Sequence, residues 1–306
     1  MDKRFILESD VEGTRLDIFL SQKLSITRSK VKSMIEDGYV RIAGKKPKPS
    51  LKIKKNMVIE GEIPEEGPLS VEPQEIPLQI LYEDDYLLFV NKPAGMVVHP
   101  SYGHREGTLV NAILSYINWP ESSNSEQRLR PGIVHRLDKD TTGVILVAKN
   151  YQVQERLSRM FKERRIRKTY RALTWGIIEK EEGKIEGNIG RHPRERKRMT
   201  VLKKGGKEAV TEYKVISRLN GFTYLEVYPL TGRTHQIRVH LSYIGHPIVG
   251  DRIYGKKVKS LAQRPLLHAL SLEFKHPCTG EILSVSAPEP EDISDFIKIY
   301  SKVREK

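Results

Sequence analysis

The chain has 306 residues, with 53 lysine and arginine residues against 39 aspartate and glutamate residues, which gives a net charge of +14. The hydrophobic fraction of 38% and the charged fraction of 30% are typical of a globular protein. The length allows roughly two domains. An excess of positive charge favours polyanionic partners, either nucleic acid or an anionic membrane surface. One cysteine, Cys278, excludes an internal disulfide and a cysteine-based zinc site.

The sequence shows no sign of a targeting or membrane segment. Its first ten residues, MDKRFILESD, lack the apolar region of a signal peptide, and the apolar run VILVA is far too short to span a bilayer. We therefore expect a cytoplasmic protein with no membrane partner, and by default a monomer.

Charge is distributed unevenly along the chain. Residues 1–60 carry 14 basic and 8 acidic side chains, whereas residues 61–85 carry 8 acidic and no basic ones. Prolines interrupt the acidic stretch, and this combination is typical of a linker. We expect a domain boundary near residue 70, with a first domain and acidic linker at 1–70 and a second domain at 71–306.

The first domain is predicted to contain two short helices followed by a small sheet. Thr14 is the predicted N-cap of the first helix and Thr27 that of the second, which Gly38 ends. The segment YVRIAGKK predicts a strand with a turn at Ala43 and Gly44. The basic residues around the second helix are either a solvated face or nucleic-acid contacts, and their density favours contacts. The predicted contact residues are Arg28, Lys30, Lys32, Arg41 and Lys45.

Two strings in this region, RLDIFL and TRSKVKSMIEDGYVRIAGK, resemble the S4 RNA-binding module of ribosomal and RNA-modifying proteins. The match spans about residues 13–60. The resemblance implies that the second helix and the loop after it lie on the RNA backbone.

The second domain is predicted to alternate strands with helices. Alternating or continuous apolar patterns predict strands at 86–90, 133–137, 144–149 and 222–229. Apolar residues at helical spacing predict one helix from Val153 to Phe161 and another that ends at Gly245. This run of strands predicts a mixed or antiparallel sheet. No GxGxxG or Walker sequence occurs, which argues against a nucleotide-binding doubly wound sheet.

The segment HRLDKDTTG, residues 135–143, is the most informative part of the chain. Asp138 follows one apolar segment and precedes another, where a carboxylate can act as nucleophile, general acid or base, or metal ligand. Aspartate, threonine and glycine are also ordinary turn formers, so the local string alone favours a structural turn. The cations Arg136 and Lys139 change this interpretation, because neighbouring positive charge favours the ionised carboxylate that a nucleophile requires.

A second candidate segment, TGRTHQIRVH, lies between a predicted strand and a predicted helix. Arg233 belongs to this turn, where functional residues commonly occur, although a solvated or phosphate-positioning arginine fits as well. His235 and His240 are five residues apart, which is not the spacing of a helical metal pair. We predict no metal site here and expect both histidines to be ordinary hydrogen-bonding residues.

Two basic segments complete the candidates. Tyr170 lies in RRIRKTYRALTWG, where it is either a half-buried strand residue or a platform for a stacked base. Arg191 and His192 begin RHPRERKRM, which is either a solvated loop or a clamp for RNA phosphates.

Taken in chain order, the motifs NKPAG, HRLDKDTTG, KTYRAL, TGRTHQIRVHL, GHPIVGD and LHALSLEFKHPCTGE resemble those of the large-subunit ribosomal RNA pseudouridine synthases. They span about residues 80–290. The resemblance implies an α+β protein, with a small S4-like domain before a catalytic domain built on a mixed, mainly antiparallel sheet. Flanking helices and a central cleft are also expected.

The resemblance further implies an activity and its residues. The reaction is the isomerisation of uridines to pseudouridine in RNA, above all 23S ribosomal RNA or a large-subunit precursor, without cofactor or metal. Asp138 is implied as the nucleophile, attacking either the ribose C1′ or the base C6. Tyr170 is implied to stack on the base and shuttle protons, Arg233 to form a salt bridge with Asp138, and Arg136 to hold the space that the flipped base leaves.

Two other functions stay open at this point. A non-catalytic, ribosome-associated S4 protein would explain the charge but would leave Asp138 without a task. A hydrolase with Asp138 and Asp140 as paired carboxylates is geometrically possible, but it would not explain the basic surface.

Overall fold

The chain folds as two compact units, residues 1–69 and 70–306. The predicted domain boundary near residue 70 lies outside the described residues. None of the helices in the described part of the chain has the length and apolar content that crossing a bilayer requires. The computed structural model describes residues 3–64, 71–100, 106–119, 131–195, 198–255 and 261–301.

In its described residues, the small unit packs helices on an antiparallel sheet with the strand order β1-β3-β2. Its elements are β1 (Lys3–Glu8), α1 (Leu16–Lys23), α2 (Arg28–Glu36), β2 (Val40–Arg41) and β3 (Val58–Ile63). Apolar side chains spaced three or four apart on both helices meet in one core. The buried helical residues of this core are Leu16, Phe19, Leu20, Val31, Met34 and Ile35.

The start of α2 is as predicted, whereas the start of α1 is not. The Thr27 hydroxyl accepts a hydrogen bond from the Lys30 N–H at 3.3 Å, which confirms this N-cap. The N-cap prediction for Thr14 is wrong, because the Thr14 carbonyl pairs with the Ile53 N–H in an extended segment. Arg15 therefore takes the N-cap position of α1.

The large unit is built on one mixed, mainly antiparallel sheet with helices beside it, which confirms the predicted fold class. In its described residues the strand order is β4-β5-β6-β12-β7-β11-β10-β8-β9, with β13 beside β12. The strands are β4 (Ile80–Glu83), β5 (Leu87–Lys92), β6 (Thr142–Ala148), β7 (Arg167–Trp175), β8 (Glu182–Arg191), β9 (Met199–Leu202), β10 (Lys207–Leu219), β11 (Phe222–Pro229), β12 (Leu267–Lys275) and β13 (Ile282–Ser286). The helices are α3 (Leu109–Tyr116), α4 (Tyr151–Lys162), α5 (Gln236–Tyr243) and α6 (Glu291–Ser301).

Strand β6 carries the segment that the sequence singled out. All its residues are buried, and it pairs antiparallel with β5 and parallel with β12. A strand covered in this way favours the apolar, largely β-branched sequence TGVILVA. Because Asp138 and the turn that follows it directly precede β6, the candidate nucleophile is attached to a strand that is buried along its whole length.

The strand predicted at 133–137 does not form. Ile133 makes only an isolated bridge with Val147, and the chain then leaves the sheet. The Leu146 N–H, which a paired strand would satisfy through a backbone carbonyl, instead donates to Nε2 of His135 at 2.8 Å. Burial, helped by the charge of Lys168, lowers the pKa of His135 to about 3, so its imidazole remains a neutral acceptor.

Gly143 allows β6 and β12 to come together beside the site. Its φ is 111°, in the region that L-residues rarely adopt, and a Cβ at this position would lie 2.1 Å from the Ala269 carbonyl oxygen. The backbone of Gly143 and that of Ala269 are both held in place by the sheet, so neither residue can move away easily.

We predict that Gly143→Ala lowers the urea midpoint of the large unit and costs at least about 2 kcal/mol more than Gly221→Ala. Gly221 has a φ of 79° with open space around its Cβ position, so its variant carries the backbone strain without the clash. Trp119 and Trp175, the two tryptophans of the chain, both lie in the large unit, so tryptophan fluorescence follows its unfolding. Equal losses in the two variants would contradict the close approach.

Candidate active site

A cleft of about 510 Å³ opens where the loop before β6 faces the start of α5. Four parts of the chain supply its polar lining: the loop before β6, the end of α4 with the residues after it, the first half of β7 and the turn that enters α5. Asp138, Tyr170, Arg233 and Arg136 all line this cleft, although not in all the predicted contacts. The charged and aromatic polar side chains that line it include Arg136, Asp138, Lys162, Arg164, Lys168, Tyr170, Arg233, His235 and Arg238.

The loop that carries Asp138 is held mainly through its backbone. The carbonyl of Lys139 accepts hydrogen bonds from Nζ of Lys92 and from the Gly95 N–H, both at 3.0 Å. The carbonyl of Asp140 accepts from Arg264 at 3.3 Å, and the Thr141 N–H closes a turn onto the Asp138 carbonyl at 3.1 Å. The NKPAG motif therefore acts as the support of the HRLDKDTTG motif.

Lys92 is a fully buried cation in this support. Its ammonium donates to three carbonyl oxygens, those of Pro93 at 2.7 Å, Met96 at 3.0 Å and Lys139 at 3.0 Å, which matches its donor count. Burial lowers the pKa of Lys92 to about 8, and the charges of Asp140 and Asp138 oppose that effect.

Arg238, in the first turns of α5, is the ion-pair partner of Asp138. Its Nη1 donates to Oδ2 of Asp138 at 2.9 Å, while its Nε and Nη2 bind the buried Asp251 carboxylate at 2.7 and 3.0 Å. Burial on its own would lower the pKa of Arg238, but the hydrogen bonds and charges of the two carboxylates raise it above its usual range. A permanent cation, with each of its three nitrogens bonded to a carboxylate, therefore fixes the orientation of the Asp138 carboxylate.

The predicted salt bridge between Arg233 and Asp138 is wrong. Arg233 lies in the turn before α5, where its Nε donates to the Glu208 carbonyl at 2.9 Å. Side chains on a helix lean towards its N-terminus, so Arg238 reaches back to the Asp138 loop from inside α5. The identification of Arg238 required the exact start of α5, which the sequence pattern did not provide.

The turn between β11 and α5 is held rigid by Gln236. Its Oε1 accepts from the Thr231 hydroxyl at 2.6 Å and the Arg233 N–H at 3.0 Å. Its Nε2 donates to the Val210 carbonyl and the Thr211 hydroxyl, both at 2.9 Å. One buried amide thus fixes this turn to β10. Gln236, Arg238 and Asp251 were not predicted as site residues. For Gln236 and Arg238 the signal was an unusual run of polar residues in a short helix, whereas Asp251 lies after that helix, in the GHPIVGD motif.

His235 takes the N-cap position of α5 with a left-handed backbone, at a φ of 57°. This conformation is uncommon for a residue other than glycine and turns the imidazole into the cleft wall. Its Nε2 lies 3.9 Å from Oδ2 of Asp138. Burial lowers the pKa of His235, against the opposing charge of Asp138, so the ring is neutral near pH 7.

Tyr170 and Lys168 occupy neighbouring positions on one face of β7. Burial, and then the charge of Asp138, raise the pKa of the Tyr170 phenol well above its ordinary value, so it stays protonated. Burial, and then the charge of Arg164, lower the pKa of Lys168 to about 8, and its ammonium donates to the Thr231 carbonyl at 3.1 Å. The cleft wall opposite α5 is therefore a neutral aromatic ring beside a cation.

The other predicted RNA-contact residues of the large unit differ in their exposure and in the hydrogen bonds that they make within the protein. Arg136 is exposed on the rim of the cleft, and Arg191 is exposed at the end of β8. Nδ1 of His192 accepts the backbone N–H groups of Arg194 and Glu195 at 3.3 and 3.1 Å. His192 therefore shapes the turn after β8, and only its other ring nitrogen is available to a ligand.

In the small unit, the predicted contact residues lie on α2 and the hairpin after it. Arg28 is half-exposed but binds Asp17 at 2.8 Å, and Lys32 is exposed beside Glu36 at 3.4 Å. Arg41 and Lys45 are exposed in the hairpin, and Lys30 belongs to the first turn of α2. Hydrogen bonds from Arg15 and then Arg28, against the effect of burial, lower the pKa of Asp17 to about 2. Arg28 is therefore partly committed to the fold of its own unit.

Comparison with known proteins assigns both units to families. The family model described as RNA pseudouridylate synthase matches residues 86–243, and that of the S4 domain matches residues 14–59. These matches confirm both resemblances predicted from the motifs.

Individual relatives agree with the family models. A protein of Aquifex aeolicus named as an uncharacterized RNA pseudouridine synthase is 44% identical, over 98% of each chain. Ribosomal large subunit pseudouridine synthase D of Neisseria meningitidis is 42% identical, over 95% of this chain and 79% of its own. The solved structure of human RNA pseudouridylate synthase domain containing 1 is 26% identical, with a TM-score of 0.57 over 79% of this chain and 99% of its own. The chain therefore belongs to the RNA pseudouridine synthase family and is an isomerase of uridine in RNA that also carries an S4 domain.

Proposed function

We propose that this enzyme isomerises uridines of 23S ribosomal RNA, or of a large-subunit precursor, with Asp138 as its nucleophile. The observation that carries the proposal is the position of the Asp138 carboxylate, partly exposed in the cleft and bonded from behind by Arg238. Oδ2 takes the hydrogen bond from Arg238, and Oδ1 has no hydrogen-bond partner among the described residues. One oxygen is thus oriented by the protein while the other is available to substrate.

The chemistry needs only such a carboxylate and a base that has left its stack. An oxygen of Asp138 attacks the ribose C1′ or the uracil C6, and the N1–C1′ bond breaks. The uracil turns, its C5 bonds to C1′, the C5 proton leaves to solvent, N1 gains a proton and the carboxylate is released. Substrate and product contain the same atoms in the same oxidation state, so the reaction as written consumes no co-reactant.

We assign Tyr170 to stacking against the flipped uracil. Because its raised pKa keeps the phenol protonated, Tyr170 is a poor proton acceptor near pH 7, which argues against the shuttling role. Stacking on an aromatic ring contributes about 1–3 kcal/mol, comparable to the few kcal/mol that flipping costs. Exposed Arg136, at the rim, fits the predicted role of holding the vacated space.

The choice of RNA rests on relatives and on charge. Several relatives at about 40% identity are named ribosomal large subunit pseudouridine synthase D, and the S4 domain adds a second RNA-binding unit. A net charge of +14 supplies the sequence-independent part of RNA affinity. We place the enzyme in the cytoplasm, acting as a monomer.

We expect Asp138→Asn to abolish tritium release from C5-labelled uridine in ribosomal RNA while RNA affinity is retained, because the amide cannot act as the nucleophile. Asp140→Asn is the matched control, since it removes the same charge from the same loop and its contact with Arg264 uses only the main-chain carbonyl. Wild-type turnover by Asp138→Asn would refute the nucleophile assignment. A hydrolase would free uracil, and a binding protein would release no tritium at all.

We expect Arg238→Lys to lower kcat by at least about 100-fold and to reduce stability, because one ammonium cannot bind two carboxylates in a planar fork. Arg233→Lys is the comparison, and we expect it to change kcat by less than about threefold, since its observed contact is a single hydrogen bond to a carbonyl. The opposite order of the two effects would restore Arg233 as the partner of Asp138.

We expect the double variant Arg41→Ala, Lys45→Ala to weaken RNA binding and to make the slope of log K against log salt shallower. The change should be about 0.7 to 0.9 for each RNA phosphate that the variant no longer neutralises. Lys298→Ala, which removes a charge paired with Asp295 on α6, serves as the control. A slope equal to that of the wild type would exclude the hairpin from the RNA interface.

A further inference from the structure

Tyr254 connects the imidazole of His235 to the backbone of β9. Its buried hydroxyl oxygen lies 2.8 Å from Nδ1 of His235 and accepts the Met199 N–H at 2.9 Å. The phenol ring meets the His235 ring edge-on and stands 5.2 Å from the Arg238 guanidinium. Asp251 fixes the backbone here, since its Oδ1 accepts the Tyr254 N–H at 3.1 Å.

Counting donors and acceptors determines where the proton of His235 lies. The phenol has one hydrogen, and among the described residues its only acceptor is Nδ1 of His235, because Met199 contributes an N–H. If Nδ1 carried the imidazole proton, the buried phenol hydrogen would have no acceptor, which is unfavourable. Nδ1 must therefore accept from Tyr254, and in the neutral ring the proton resides on Nε2.

We propose that Tyr254 sets the tautomer of His235 so that a neutral imidazole directs its Nε2–H at Oδ2 of Asp138. His235 is then a positioning residue for the nucleophile and not a general base. This inference rests on the proposed role of Asp138. The 3.9 Å from Nε2 to Oδ2 is longer than a direct hydrogen bond, so one water or a small closure on substrate completes the contact.

The consequence is a distinction between the two carboxylate oxygens. Oδ2 accepts a hydrogen bond from Arg238 and is also the oxygen towards which the Nε2–H of His235 is directed. Oδ1 faces no donor among the described residues. The oxygen with fewer hydrogen bonds keeps more of its negative charge available for bond formation. Tyr254 and His235 thus reinforce the choice of Oδ1 as the attacking atom, which the bond from Arg238 to Oδ2 already favours.

The neutral state of His235 follows from its surroundings. Burial lowers its pKa below the ordinary histidine value, and the charges around it partly cancel. The charged and titratable groups around the ring come from several elements. They are Asp138 and Arg136 from the loop before β6, Arg238 from α5, Asp251 and Tyr254 from the turn after α5, and Arg198, which lies over the Tyr254 ring.

The tautomer can be read directly by NMR of the full-length chain with ¹⁵N-labelled histidine, with the His235 signals assigned by their loss in His235→Asn. In the wild type at pH 8, above the ordinary pKa of histidine, we expect a neutral ring with Nε2 protonated. In Tyr254→Phe we expect a mixture of the two tautomers. Tyr224→Phe, which removes another hydroxyl that binds Glu289, should leave the wild-type spectrum.

Kinetics test whether the tautomer matters for the reaction. We expect Tyr254→Phe to lower kcat about tenfold with little change in KM, the effect of losing one oriented hydrogen bond. His235→Gln, whose amide can donate near the position of Nε2, should retain more activity than His235→Asn, whose amide reaches only the position of Nδ1. Asparagine adopts left-handed backbone more readily than glutamine, so this order cannot be attributed to the backbone at 235.

Several results would overturn the proposal. A wild-type ring protonated at Nδ1 would do so, as would a Tyr254→Phe variant that loses activity without a change of tautomer, or an Asn variant as fast as the Gln variant. A wild-type chain that releases no tritium would reject the proposed function instead, while the NMR result would still decide the tautomer.

Discussion

The site depends on one guanidinium that two carboxylates share. The Arg238 side chain is 8% exposed and that of Asp251 is fully buried, and burying such charges is unfavourable unless they are paired. Here the Nε and both Nη groups of Arg238 have carboxylate partners, and the Asp251 carboxylate also accepts main-chain N–H groups. Asp251 therefore fixes the position of the Arg238 guanidinium, and Arg238 in turn fixes the partly exposed carboxylate of Asp138.

This arrangement brings together parts of the sequence that lie far apart. Asp138 and Arg238 are 100 residues apart, and they meet because β6 and the start of α5 are both held by the same sheet. The Asp138 side is fixed by Lys92 and Arg264 through carbonyl oxygens, and the Arg238 side by Gln236 through β10. Because hydrogen bonds outside the ion pair hold both sides, the pairing itself costs little additional conformational entropy.

The sequence predicted more of the scaffold than of the contacts. Alternation located β11 at its observed bounds, helical spacing located α4 and α5, and the motif around Asp138 identified the loop that lies in the cleft. The segment at 133–137 looked like a strand because apolar patterning cannot show that a histidine ring will take the place of a backbone acceptor.

The error over Arg233 has a related cause. Both arginines belong to one short motif, and which of them meets Asp138 depends on where α5 begins and how its side chains lean. Helix boundaries are weakly encoded in local sequence. Long-range partners such as Asp251 and Tyr254 follow only once the helix is placed.

Because the catalytic loop is held by main-chain oxygens at 139 and 140, the side chain of Lys139 contributes little to its placement, whereas the charge of Asp140 also supports the Lys92 ammonium. The Lys139 side chain is exposed, one residue from Asp138. The loop can therefore carry a photo-crosslinker or a fluorophore at 139, as a reporter of nucleotide entry, with the neighbouring carboxylate left in its native geometry.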